Sequence, residues 1–433
     1  MIDKIEQAIE RLKSEIERDF AKLISIRSVK GEKEDGFPFG KEIGKVLETG
    51  LNIGRRLGFA TKNLDGYAGI LELGESEEYF GIFGHLDVVV EGKDWDTLPY
   101  KLIKKDGKFY GRGVLDNKGP ILACIYALKI LKDLQVNFNK RVRVVLGTDE
   151  ESGMKDMDYY LSNEKPPLMG FTPDCKFPVV YGENGVIRIK LRYSLEKGLR
   201  YSLKEIEGDF SKAYIPDYTK FIFKEENFEV IGVGKRAPSN NPYLGENSII
   251  NAIKNIPENI VENLDFKRAF KEINNLFSDV YGKSLGIDYK NLETGEVLVS
   301  LYKIKKNHET LEIYFSVRYP VDCDEKNILE KIQEKVSGEL EVEFSMPKTV
   351  KDKNSTMVKK MSEAYFEVTN LDSTPVTTTG GTYARKVPNI VAFGPSFPGE
   401  KGIAHNKNEY LEEESLYKLI KIYALAIYKL LNI

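Results

Sequence analysis

A chain of 433 residues, 41% hydrophobic and 30% charged, is too long for one ordinary core, so two domains are expected. A formal net charge of −3 argues against a duplex-binding protein. The three cysteines, Cys124, Cys175 and Cys323, are far apart and without metal-like spacing, which argues against a disulfide framework and for buried, inert thiols in a reducing cytoplasm.

The start, "MIDKIEQAIERLKSEIERDF", alternates charges through a helical period and holds no apolar signal core. "YFGIFGHLDVV" reads as a buried strand and "NKGPILACIYALKILKDL" as a helix with Ile121, Leu122, Ile125, Leu128 and Leu131 on one face. "RVRVVLGTDEE" and "FPVVYGENG" read as two further strands. This βαβ rhythm predicts a mostly parallel sheet covered by helices. Its acidic and histidine residues, His85, Asp87, Glu150 and Glu151, fall at the carboxyl ends of strands, the edge where open α/β sheets bind ligands.

After Gly185 the texture changes. "VIRIKLRYSL", "VLVSLYKIKK" and "LEIYFSVRYPV" alternate in period two around a helical "NLDFKRAFKEINNLF", which predicts a half-buried antiparallel sheet with helices on one side. The helix "STMVKKMSEAYFEV" and the strand "NIVAFG" return to the first style. The expected division is therefore 1–183 and 348–433 as one α/β catalytic domain, with 184–347 as an inserted α+β domain. The final "LYKLIKIYALAIYKLL" is interrupted by Lys418, Lys421 and Lys429, so it reads as a buried amphipathic helix led by Glu412, Glu413 and Glu414, with no membrane span.

Individually the polar residues are ambiguous. Asp116 in "YGRGVLDNKGP" also reads as a helix N-cap, and the triplet Asp149, Glu150 and Glu151 as a solvated turn. His85 and Asp87 lie two apart, so on a strand they share a face and the carboxylate can fix the imidazole tautomer. Adjacent glutamates on a turn can diverge, one to a metal ion and one to the water it activates. Asp174 in "FTPDCKFPVV" and His405 in "GIAHNKNEYL" complete the set.

In chain order these residues resemble the metal-site series of the M20 family of co-catalytic zinc peptidases. "GHLDVV", "KDGKFYGRGVLDNKGP", "TDEESG" and "TPDCKFPVVYGENG" carry the likeness. "GGTYARKVPNIVAFGPSFPGEKGIAHNKNEY" resembles the PepV-like dipeptidase branch. The resemblance implies one metal on His85, Asp116 and Asp174 and another on Asp116, Glu151 and His405, with Asp116 bridging. It implies Glu150 as general base and later acid, and Asp87 as the partner of His85. It also implies a cis peptide between Asp116 and Asn117, a carboxylate-binding Arg318 in "FSVRYPVD", and close approach of the substrate backbone to Gly381 and Thr382; Arg318 also reads as an ordinary strand arginine, and the glycines as a plain turn. The oxygen-rich ligand set suits Zn, Mn or Co.

The inserted domain departs from the family in one place. A motif of the type "GKxAHxxxPxxGxNA" supplies an oxyanion-stabilising histidine in active relatives. Here "GVGKRAPSNNPYLGENSIINAI" keeps Gly234, Lys235, Ala237, Pro242 and Gly245 but has Pro238 at the histidine position. Arg236, Asn240 and Asn241 are the neighbouring donors, and His308 the remaining histidine. The expectation is a cytoplasmic, monomeric two-metal dipeptidase acting on small peptides, without nucleic-acid or membrane partners. The alternatives are a deacylase of N-acyl amino acids and a weakly active or inactive homologue that binds peptide or metal.

Overall fold

Strands Tyr79–His85 and Arg141–Gly147 are apolar on both faces: Phe80, Ile82, Val142, Val144 and Leu146 enter one core, and Tyr79, Phe83 and Val145 enter another. A strand buried on both sides suits the interior of a sheet carrying helices on both faces. The computed structural model, which describes residues 1–196, 200–225, 228–262, 264–400 and 403–431, shows this. The chain divides into two compact units: Met1–Tyr181, Lys351–Val376 and Gly381–Ile433 form the first, Gly182–Val350 and Thr377–Gly380 the second.

The first unit is built on a mixed sheet in the order Ala60–Leu64, Ala68–Leu73, Arg141–Gly147, Tyr79–His85, Met169–Thr172, Ile390–Phe393, Val179–Glu183. Its middle is parallel: Tyr79–His85 pairs in parallel with Arg141–Gly147 and with Met169–Thr172, which pairs in parallel with Ile390–Phe393. Antiparallel strands flank this run on either side. Helices Ile2–Ile24, Lys118–Asp133, Thr356–Thr369 and Glu413–Leu431 bury one face, where Phe171 stacks on Tyr423 and Phe177 meets Phe393 edge to face. Helix Lys155–Asn163 and the turn Tyr383–Arg385 cover the other. Glu412 belongs to the short strand Tyr410–Glu412, so only Glu413 and Glu414 open the last helix. Among the described residues no helix is long and apolar enough to cross a membrane.

The second unit holds an antiparallel four-stranded sheet, Leu298–Asn307, Thr310–Tyr319, Gly185–Ser194 and Glu339–Met346. Ile187, Ile189 and Leu191 alternate inward with Ile313, Phe315 and Val317 and meet Phe270, Ile273 and Ile332 from helices Lys267–Leu276 and Glu325–Lys335. Arg188, Lys190 and Arg192 take the other face. This is the α+β texture that the period-two pattern predicts.

Candidate metal centre

The parallel ladder sets where the polar residues emerge. His85 is the last residue of its strand, and Glu150 and Glu151 open a single 3-10 turn just beyond Gly147. Asp174 follows the strand Met169–Thr172, and Asp116 precedes the helix Lys118–Asp133. The Asp116–Asn117 peptide is cis.

Five side chains from five stretches of the first unit converge. His85, Asp116 and Asp174 place one donor atom each within 4.8 Å of one another, and so do Asp116, Glu151 and His405. Asp116 is common to both groups and uses a different oxygen in each. Its Oδ1 lies 3.1 Å from His85 Nε2, and its Oδ2 lies 3.0 Å from His405 Nε2. Asp174 Oδ2 stands 3.6 Å from His85 Nε2, and Glu151 Oε1 stands 3.0 Å from His405 Nε2.

Packing so many acids together distorts their titration. Burial, then the neighbouring Asp174, Glu151 and Asp116, raise Glu150 well above the ordinary carboxylate range, although His85 opposes them. Burial and the charge of Asp116 push Glu151 up to about 7, against the pull of His405. Burial works against ionisation of Asp116, yet hydrogen bonds from His405 and His85 hold its carboxyl well below the usual range. Burial also disfavours charge on His405, but Asp116 and Glu151 outweigh it and push the imidazole up to about 11. Imidazoles raised and an Asp116 carboxyl lowered mark the demand of this cluster for positive charge, which divalent ions bound there would supply in place of protons.

The oxygen-rich donor set fits divalent metals. Glu150 fits beside them: among the described residues its Oε1 is out of solvent and has no hydrogen-bond partner. Such an acceptor needs a proton donor to satisfy it.

Asp87 acts differently from the period-two expectation. The strand ends at His85, so the alternation stops before Asp87. His85 Nδ1 donates to the Asp87 backbone carbonyl at 2.9 Å, while the Asp87 carboxylate lies farther off, at 3.4 Å. A carbonyl only accepts, so it fixes the proton on Nδ1 and leaves Nε2 to face the carboxylates. The Asp87 carboxylate instead accepts the backbone N–H groups of Glu150, 3.2 Å, and Glu151, 3.1 Å. Asp149, third of the acidic triplet, is held away from the centre by Lys30 at 2.5 Å.

Other residues near the centre carry no obvious signal in the sequence. Asn117, not Asp116, is the N-cap residue of the helix Lys118–Asp133, and its side chain makes no capping bond. It is fully buried, accepts His85 N–H at 3.4 Å, and donates to the Pro173 carbonyl at 2.7 Å and to Asp174 Oδ1 at 3.3 Å. Buried Asp156 accepts the Thr148 and Asp149 amides and the Tyr383 hydroxyl, tying the acidic turn to the segment that follows Gly381 and Thr382. Thr382 caps that turn by accepting the Ala384 N–H. A Cβ at Gly381 would run into the Arg385 guanidinium. Arg318 belongs to the second unit, where its Nη1 donates to the Thr379 carbonyl at 2.7 Å. In that unit Pro238 is exposed in a two-residue bridge to Tyr214, and Arg236 is engaged by Asp209 and Asp217. Cys175, beside Asp174, is half-buried in the two-residue strand Cys175–Lys176, where the sequence suggests a fully buried thiol.

The model of peptidase family M20/M25/M40 matches residues 81–429. The chain belongs to that family. Within it, the putative dipeptidase YtjP of Bacillus subtilis (strain 168) is 32% identical over 455 residues, covering 97% of this chain and 98% of the relative. Among solved structures, the di-peptidase Dug1p from Saccharomyces cerevisiae matches with a TM-score of 0.64 at 15% identity, covering 100% of this chain and 99% of that one. The Bacillus subtilis YXEP protein, a dinuclear metal binding peptidase from the M20 family, matches at 0.52 and 12% identity, covering 96% and 99%. At these identities the structural likeness concerns the fold. As an M20/M25/M40 peptidase the chain is a hydrolase, and the convergent carboxylates and imidazoles lie within the matched residues.

Proposed function

We propose that this peptidase is a dipeptidase with two divalent metal ions, one held by His85, Asp116 and Asp174 and the other by Asp116, Glu151 and His405. The observation that carries this reading is the division of Asp116, whose two oxygens each face a different imidazole. The curated relative is named a putative dipeptidase and YXEP is described as dinuclear, which supports the same reading. Zinc is the expected metal, with manganese or cobalt as substitutes the donor set also accepts.

When bound, two such ions lower the pKa of water and polarise a carbonyl. The remaining chemistry belongs to the chain. Glu150, with an unpartnered oxygen at the centre, takes the proton of the attacking water and delivers it to the leaving amine. Asp87 holds Glu150 and Glu151 apart through their amides, so one neighbour serves the water and the other the metal. The absence of a disulfide among the described residues supports a cytoplasmic setting.

The test is activity of chelator-stripped protein reconstituted with zinc, manganese or cobalt, against a panel of dipeptides and N-acyl amino acids. Turnover of dipeptides that needs added metal is the expected result. Hydrolysis of the N-acyl amino acids alone would replace the dipeptidase reading with a deacylase. Metal uptake without turnover of either would favour the binding-only reading, to which Pro238 points because it has no side-chain donor.

A further inference from the structure

Arg112 and Glu409 form a buried ion pair, Nη1 to Oε2 at 2.7 Å, with side chains 1% and 0% exposed. Neither carboxylate oxygen is left to Arg112 alone. Oε1 accepts the backbone N–H groups of Gly113 at 3.1 Å, Leu115 at 2.9 Å and Asp116 at 3.1 Å, and Oε2 accepts Gly113 as well. The loop that bears Asp116 is thus wrapped around one carboxylate, a concave nest of amides of the kind that binds anions. Gly113 permits the wrap, with φ +91.

The other end of the pair reaches the His405 loop. Glu409 lies four residues after His405, and its carbonyl accepts Gly111 N–H at 3.1 Å. Arg112 Nη2 donates to the His405 carbonyl at 3.3 Å and to the carbonyls of Val90 and Glu91 at 3.4 Å each. His405 needs such a hold: it has left-handed φ of 66 and a side chain 53% exposed, so little packing fixes its ring. Asn408 adds a reciprocal pair of bonds with Asp96. By contrast, His85 and Asp174 are tied to each other by Asn117 and have no bond to this pair among the described residues.

Resting on the two-metal reading above, we infer that Arg112 is a positioning residue that sets metal occupancy of the Asp116, Glu151 and His405 position through its hold on the His405 loop, while Glu409, which holds the Asp116 amide, serves both positions because Asp116 is common to them. One buried carboxylate and one guanidinium fix the separation of the Asp116 and His405 backbones. The planar fork of arginine is needed, since a lysine can keep the charge but cannot serve Glu409 and several carbonyls at once.

The test is calorimetric titration of the chelator-stripped full chain with zinc, in two backgrounds that each leave one position. In His85→Ala, adding Arg112→Lys should weaken binding of the remaining equivalent about 10- to 100-fold, the usual effect of removing a residue that orients a ligand. In His405→Ala, the same change should leave the remaining affinity within about twofold, since the Asn117 ties stay intact. Glu409→Gln should instead weaken binding in both backgrounds, because an amide group placed against the Gly113 N–H opposes donor to donor and loosens the loop that carries Asp116, common to both positions. If Glu409→Gln does not fold, Arg112→Lys decides alone. Equal loss from Arg112→Lys in both backgrounds, or loss in neither, overturns the inference while the two-metal reading stands. A wild-type chain that takes up no zinc overturns both.

Discussion

Two adjacent glutamates with opposite duties make the sharpest residue-level test. Glu150→Gln removes the proton acceptor but no proposed ligand, so turnover should fall by about 10²–10⁴-fold with zinc content unchanged. Glu151→Gln should lower zinc content as well as turnover. Metal analysis beside a dipeptide assay checks both, and equal zinc loss in the two variants would mean that the roles are shared. Asp87→Ala is expected to resemble Glu151→Gln, for a different reason. It strands the Glu150 and Glu151 amides, each left without its acceptor, so both turnover and zinc content should drop. If its zinc content is normal, the amide clamp does not hold the turn.

At the scale of elements, close approach of the His85 strand to the helix Lys118–Asp133 depends on Gly84. A Cβ there would lie 2.7 Å from Asn117 Oδ1 and 2.7 Å from Ile121 Cδ1. Gly84→Ala should therefore cost about 1–3 kcal/mol of stability by overpacking, read from the urea midpoint, and an unchanged midpoint would show that the helix gives way freely. In the second unit, Asp265 anchors the start of strand Leu203–Gly208 through the Leu203 amide at 3.2 Å, and burial pushes its carboxyl up to about 6. Its ordinary value is 3.8, so between these values the folded chain keeps a proton that the unfolded chain releases. This contribution to stability is fully present below the lower value and is lost as pH rises through about 6. Asp265→Asn should remove that decline from a urea-midpoint series between pH 4 and 7. A wild-type slope in the variant would place the proton elsewhere.

For the whole molecule, metal removal gives the broadest readout. Bound ions stabilise only the folded first unit, by about 2.7 kcal/mol per site at a hundredfold excess over Kd. The single tryptophan, Trp95, lies in that unit, so its fluorescence should report a lower melting temperature after chelation and recovery with zinc. No shift would argue against a resident metal. Much of this architecture was legible in the sequence. Strands apolar on both faces mark the parallel interior, period-two strands mark the second unit, and the histidines and acids at strand ends mark the convergent cluster. What stayed hidden acts through the backbone: Asp87 gripping amides, Asn117 bridging two segments, Glu409 filling a nest. Such roles leave no spacing signature, because an acceptor for N–H groups is any polar side chain that the fold happens to bring near. One consequence of the strand order concerns synthesis. Ile390–Phe393 sits between Met169–Thr172 and Val179–Glu183, so a nascent chain must hold that slot open while more than two hundred intervening residues, nearly all of the second unit among them, are made. His405 arrives later still, so a chain made only as far as Phe393 has the sheet strand but not yet every residue of the centre.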